Sequence, residues 1–436
     1  MLGMTRYQWL VLFAAWLGWG FDVFDGLLFN YVAPNAVPTL LGLEIGSTAA
    51  KSATLYWTGL LTSLLLLGWA VGGVLFGWVC DRIGRTRTLL LTMLIYAFGT
   101  AACAFAQNIE MLLLFRIIAS LGIGGEWAAG AAMVAEAVPE NKRVEAGALL
   151  YTSAPMGLFL ATFVNMQVAG NWFKDSPSES WRYVFLFGLL PAFAAFAVRL
   201  FIKEPERWKT VAATCKPPKI AELFTREIFP LTRSGFFMAV VALLTWWSCN
   251  AFIPVVSSGL GRANAESLGL DLAATRAMIE HWKTLATTYF NIGGLIGTLL
   301  TIPASKYLGR KKMFAIYWLV SAAAVLGTFG LDLAPQARLY GYLAIGLSVF
   351  GVFGSFTYYL PELFPTRLRG TGAGFCYNIG RVIAAGGPFL VGAIASQGLN
   401  AAASAVQVLF YVGFIPLLGL LLLPWVIETK DRVLAD

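Results

Sequence analysis

The chain has 436 residues, 58% of them hydrophobic and only 12% charged, with a net charge of +8 and a mean hydropathy of +0.72. Soluble domains carry about 25% charged residues, so this composition excludes a water-soluble core and makes lipid the solvent for most of the chain. The basic excess falls in short loops between apolar runs, which is a pattern of membrane topology and not of nucleic-acid binding.

In chain order, twelve apolar segments are each long enough to cross a bilayer: 9–31, 53–78, 88–107, 110–135, 146–169, 182–202, 234–260, 284–304, 313–331, 339–360, 371–397 and 404–427. The expected fold is an all-α membrane protein of twelve transmembrane helices in two related six-helix halves, 1–202 and 234–436. A polar linker, 203–233, joins them. Within it, Ile220 to Phe229 is expected to form an amphipathic helix on the membrane face. The first segment carries Asp22 and Asp25 and reads as a mature span, not a leader. Lys and Arg concentrate in loops on one side, at 82–87, 142–143, 203–233, 306–312 and 367–369. That side is the expected cytoplasmic one and holds both termini.

Two charged turns punctuate the halves. The first is Gly77-Trp78-Val79-Cys80-Asp81-Arg82-Ile83-Gly84-Arg85-Thr86-Arg87; the second is Ser305-Lys306-Tyr307-Leu308-Gly309-Arg310-Lys311-Lys312. Such charges cannot lie in hydrocarbon, so each is a tight loop at the membrane surface with glycine at the reversal. A charged hairpin recurring half a chain apart points to a transporter built from two repeats.

Ionisable residues inside spans are costly and mark function. Asp22 and Asp25 lie three residues apart on one helix face. Counting from the span ends places Asp25 and Arg116 each about 9 Å into the membrane, at one depth. Two readings follow: a carboxylate that takes and releases a proton beside an arginine, or a static ion pair. Glu126 either faces the cavity or bonds to a neighbouring helix. Glu136 is expected in a loop network with Lys142 and Arg143. Arg381 falls near the midplane of the eleventh span, and the only acid in the carboxyl-half spans is Glu362, at a cytoplasmic end. Arg381 is therefore either a receptor for a substrate carboxylate or a partner of Asp22, Asp25 or Glu126. Tyr377, Asn378, Trp246, Trp247, Asn250, Tyr289 and Asn291 are candidates for the substrate wall.

The sequence has no Walker loop, metal-ligand cluster or nucleophile elbow, and its single histidine, His281, falls in a loop. No enzyme activity and no cofactor are expected. The five scattered cysteines read as packing residues.

At this point the chain resembles the major facilitator superfamily over nearly its whole length. The 77–87 run matches the Gly-x-x-x-Asp-Arg-x-Gly-Arg loop. The 305–312 run resembles its degenerate second copy, with Lys306 where the acid stands. Arg116 through Gly125 resembles the fourth-span signature, with Ser120 in place of a glycine. Glu204-Pro205-Glu206-Arg207-Trp208, Pro361-Glu362-Leu363-Phe364-Pro365-Thr366-Arg367 and Glu428-Thr429-Lys430 are similar to the sugar-porter and metabolite–proton symporter branches. Gly124-Gly125-Glu126-Trp127 with Ala154-Pro155-Met156-Gly157 leans toward the latter, and Asp22 with Asp25 resembles the aromatic-acid–proton symporters.

The resemblance implies a proton-coupled transporter of a small organic carboxylate working by alternating access in a bacterial inner (plasma) membrane. It is expected to act as a monomer, with substrate, protons and lipid as its partners. A sugar or polyol symporter and a proton-coupled exporter are the alternatives. It also implies roles: Asp22, Asp25, Arg116 and Glu126 in proton coupling, and Arg381 on the substrate. A cytoplasmic gate would comprise Gly77, Asp81, Arg82, Gly84, Arg85, Arg87, Gly309, Arg310, Glu362 and Arg367.

Overall fold

The computed structural model describes residues 3–45, 47–386 and 401–432, and among them the secondary structure is helical, without strands. Among the described residues twelve long helical segments follow one another, with a short linker helix, Glu206–Thr214, between the sixth and seventh: α1 (Arg6–Leu41), α2 (Thr48–Ile83), α3 (Arg85–Cys103), α4 (Ile109–Ala137), α5 (Glu140–Trp172) and α6 (Pro177–Arg199), then α7 (Phe229–Ser267), α8 (Leu272–Leu308), α9 (Arg310–Gly330), α10 (Pro335–Leu363), α11 (Arg369–Ala384) and α12 (Ala402–Trp425). The part of the expected eleventh span beyond residue 386 lies outside the described residues.

Several helices outrun the spans expected for them. The 36 residues of α1 make about 54 Å of helix, against a hydrocarbon core of about 30 Å. Pro34 and Pro38 both lie inside α1. The helix ends only at Gly42, in the left-handed region at φ 66°. At the other end Thr5 and Gln8 form a capping box. α7 begins at Phe229, inside the stretch expected to be linker. The expected amphipathic helix at 220–229 is instead a single 3-10 turn, Ile220–Phe224. It is held by packing: Thr232 Oγ1 donates to Leu223 O at 2.8 Å, and Phe224 meets Phe375 edge-on.

Both chain ends lie on one face, where Tyr7 bonds to the backbone of Lys203 and Glu428 accepts from the backbone N–H of Arg310. We call this the terminal face. Large apolar side chains such as Phe98, Phe193, Phe201 and Leu421 point outward, as a lipid-facing belt requires. The interior core runs continuously through both halves and includes Trp19, Trp69, Trp247 and Tyr377.

Candidate functional site

A cavity of about 490 Å³ lies between the halves. The helical repeat decides who lines it. On α1, Trp19, Val23 and Leu27 recur every fourth residue and face the cavity; on α8, Thr287 and Asn291 do the same, and on α11, Tyr377 and Arg381. Trp246, Trp247 and Asn250 on α7 complete the expected contributors. Tyr289 is two residues from Asn291 and so turns about 200° away; it packs on Tyr340. Asn378 is also outside the wall. Its Oδ1 accepts from Arg381 Nη1 at 2.5 Å and its amide donates to Gly374 O at 2.8 Å, so it positions the arginine.

Sequence reasoning missed much of the aromatic lining: Trp19 and Trp69, and a floor in which Tyr151 stacks on Phe353 and meets Phe350 edge-on, while Tyr377 stacks on Trp127 at 4.0 Å. A π-turn at Gly346–Phe350 followed by a 3-10 turn at Gly351–Ser355 rotates Phe350 and Phe353 into place. Irregular helix of this kind recurs at functional sites.

Arg381 is buried, with its guanidinium 4.6 Å from the Trp69 ring and 4.7 Å from the Tyr377 ring. Its Nε has no hydrogen-bond partner. The other buried arginines differ. Arg85, Arg116, Arg143, Arg199, Arg310 and Arg369 each have a carboxylate within 4.0 Å. Among the described residues Arg381 has none, so the expected alternative of an ion pair with Asp22, Asp25 or Glu126 is not formed.

The intramembrane acids lie behind the cavity wall, inside the amino half. Asp25 meets Arg116 at 3.3 Å, as the depth count anticipates, while its Oδ2 is unpartnered. Glu126 does not face the cavity: it pairs with Arg199 of α6 and accepts from Thr92 Oγ1 at 3.2 Å. Arg199 was overlooked because it ends an apolar run and reads as flanking charge. Gly18 makes room for the pair, since a Cβ there would strike the Arg199 guanidinium. Asp22 is fully buried, and neither of its carboxylate oxygens has a hydrogen-bond partner.

At the terminal face the halves are bolted together. Asp81 accepts from the Gly370 and Thr371 backbone N–H groups (3.0 and 2.6 Å) and from Thr371 Oγ1 (2.7 Å), capping the N-terminus of α11. Arg85 binds Asp81 at 2.9 Å, Glu136 at 2.7 Å and the Thr366 carbonyl at 3.0 Å. Glu136 also takes Arg369, so it belongs to this lock and not to the expected network with Lys142 and Arg143, which contact Glu145 and Glu140 instead. Arg143 reaches across to Glu362, which Arg310 holds at 2.7 Å. Gly77 lies against the backbone of Gly370.

Three expected gate residues stand aside. Arg82 lies over Trp78, Arg87 is exposed and contributes its backbone N–H to Glu204, and Arg367 clasps Glu222 of the linker. Hydrogen bonding from Arg367 holds the Glu222 carboxyl below its ordinary range.

The family model for the Major Facilitator Superfamily matches residues 9–388. The chain belongs to this superfamily. It is an integral membrane transporter, and not an enzyme. Among its relatives, the "Cis,cis-muconate transport protein" of Acinetobacter baylyi is 28% identical, with 82% of this chain and 84% of the relative covered. The "Sialic acid transporter NanX" of Escherichia coli is 25% identical, covering 94% and 93%. In fold, the chain is similar to the proton:xylose symporter XylE, with a TM-score of 0.73, 18% identity and 98% of each chain covered. These twelve helices in two six-helix repeats are the major facilitator fold.

Proposed function

We propose that this transporter couples proton entry to the uptake of a small organic carboxylate, by alternating access between its two halves. The observation that carries the reading is Arg381, a cation in the cavity wall without a carboxylate of its own, while the six other buried arginines each have one. A guanidinium left this way binds a ligand carboxylate strongly, because desolvation is already complete and the counter-charge is missing. Muconic acid, with two carboxyl groups, and sialic acid, with one, are named for two of the relatives, and the carboxylate they share agrees with the reading.

For the proton, Asp22 and Asp25 supply buried oxygens that lack partners. Neither lines the cavity. Coupling therefore runs through α1, which carries the acids behind the wall and Trp19 and Val23 in it. Protonation removes a charge from the interior of the amino half and lets α1 repack; the anion meanwhile neutralises Arg381. With both loaded, the lock at the terminal face opens and releases them. The Lys and Arg bias of the loops supports a cytoplasmic terminal face, and the bacterial relatives support a plasma membrane.

The test is uptake into proteoliposomes of labelled carboxylates and sugars, with and without an inward proton gradient. Gradient-driven carboxylate uptake is expected, falling at least a hundredfold in Arg381→Ala and losing its gradient dependence in Asp22→Asn. Sugar uptake that survives Arg381→Ala overturns the carboxylate reading.

A further inference from the structure

The cavity differs from the rest of the membrane interior in how little charge it contains. Among the described residues Arg381 is the one lining residue charged at neutral pH. Residues 387–400, which lie outside the described ones, contain no Asp, Glu, Lys, Arg or His. The remaining polar groups in the wall are neutral amides and hydroxyls, including Asn30, Asn250, Asn291, Thr62 and Thr287. Between them lie the rings of Trp69, Trp246, Trp247 and Tyr377.

Resting on the carboxylate reading above, we propose that, unlike the muconate for which one relative is named, the substrate is a monocarboxylate with an uncharged, hydrogen-bonding far end, and that dicarboxylates are rejected. One carboxylate neutralises Arg381. A second would enter an aromatic cavity with no remaining cation, where an uncompensated charge is strongly disfavoured. A neutral hydroxyl or amide in the same place meets donors and acceptors of matching kind. The specificity is thus a matter of charge count more than of size.

Three probes on one ring separate these terms: benzoate, terephthalate and 4-carbamoylbenzoate. The last two differ only in whether the far group is charged, and terephthalate is a dianion at pH 7. Binding to the purified wild-type protein in detergent is measured by titration calorimetry, and again with Arg381→Ala. Benzoate and 4-carbamoylbenzoate are expected to bind within about tenfold of each other. Terephthalate is expected to bind at least about a hundredfold more weakly than 4-carbamoylbenzoate, the size of effect an uncompensated buried charge produces. Both monoanions should lose binding in Arg381→Ala. Terephthalate binding as tight as that of 4-carbamoylbenzoate, and dependent on Arg381, overturns the single-charge inference while leaving the carboxylate reading intact. If none of the three binds in an Arg381-dependent way, the carboxylate reading itself fails.

Discussion

The two charged turns, one in each half, agree almost atom for atom within their own half and differ in sign where they touch the other. Gly84 and Gly309 both reverse the chain at positive φ, 111° and 88°. Glu204 accepts from the backbone N–H groups of Arg85 and Arg87; Glu428 accepts from those of Arg310 and Lys311. Arg85 grips Glu136 with Nε at 3.1 Å and Nη2 at 2.7 Å, and Arg310 grips Glu362 with the same two distances. Three residues before each glycine the match ends. Asp81 caps α11 of the opposite half, whereas Lys306 reaches Glu145 of the opposite half at 2.6 Å. The second turn is therefore a latch of inverted charge, and not a latch that has decayed. Repeats keep the parts that shape a turn, and the pairs Glu136–Arg369 and Glu362–Arg143 match across the halves; the divergence is confined to Asp81 and Lys306, which face different partners.

The largest effect in breaking this comparison is expected at Asp81, which is buried and receives three donors from α11 as well as Arg85. Asp81→Asn removes the charge and turns an amide toward donors. That should cost about 3 kcal/mol of closure, or about a hundredfold in the population open at the terminal face. Cys80 is a built-in reporter: it is buried, and a Cβ on Gly370 would come within 3.2 Å of its sulfur. In a Cys215→Ser background, which removes the exposed thiol, Cys80 alkylation should accelerate by that factor. An unchanged rate means the cap does not hold the halves.

The glycines come next, and here the turns should behave alike. At ψ 161° and 167° both residues occupy a region open essentially to glycine alone. A Cβ would also come within 2.5 Å of the Glu204 or the Glu428 carboxylate. Gly84→Ala and Gly309→Ala are each expected to cost about 2 kcal/mol, read as a lower thermal unfolding midpoint in detergent. A loss at only one of them would show that the turns are not equivalent scaffolds.

How much of this was legible follows from what each feature depends on. The spans and both turns could be read because hydrocarbon excludes charge and chain reversal demands glycine, which are local constraints. The Asp25–Arg116 contact was accessible because depth can be counted from a span end. Arg199 with Glu126, and Lys306 with Glu145, depend on which helices pack together, and no periodicity within one helix carries that information. Tyr289 and Asn378 were misplaced for a related reason. Which face of α8 and α11 borders the cavity is set by the helices packed against them, and one or two residues of slip turn a side chain away. The 3-10 turn at Ile220–Phe224 looked amphipathic because its apolar residues dock on α7 and α11 instead of on lipid.

A smaller effect is expected from acid at the second turn. Burial pushes the Glu428 carboxyl up, but backbone N–H groups of Arg310, Lys311 and Lys430 outweigh it and hold the group below its ordinary range. A carboxylate depressed in the folded state contributes stability that is complete above its unfolded pKa, about 4.3, and is lost as pH falls through the lower folded value. Glu428→Gln should therefore lower stability by about 1 kcal/mol at pH 7, after allowing for solvent screening of a partly exposed group. The gap from wild type should close toward pH 3 in thermal unfolding. A gap that stays constant with pH would mean that the ionised form makes no contribution.

The smallest effect is expected at the inverted latch itself. Lys306 is 40% exposed at its side chain while Glu145 is 9% exposed, and Lys142 lies 3.8 Å from the same carboxylate as a reserve partner. A half-solvated pair with a substitute cation is worth about 0.5 kcal/mol, and salt screens it. A double-mutant cycle with Lys306→Gln and Glu145→Gln, read by Cys80 alkylation, should give a coupling of that size that vanishes in high salt. Exchanging the charges, Lys306→Glu with Glu145→Lys, should restore closure, because this contact needs opposite signs and not a particular order. A coupling above about 2 kcal/mol that survives salt would place the second latch level with Asp81. Closure would then rest on both turns equally, and the asymmetry between them would be one of sign alone.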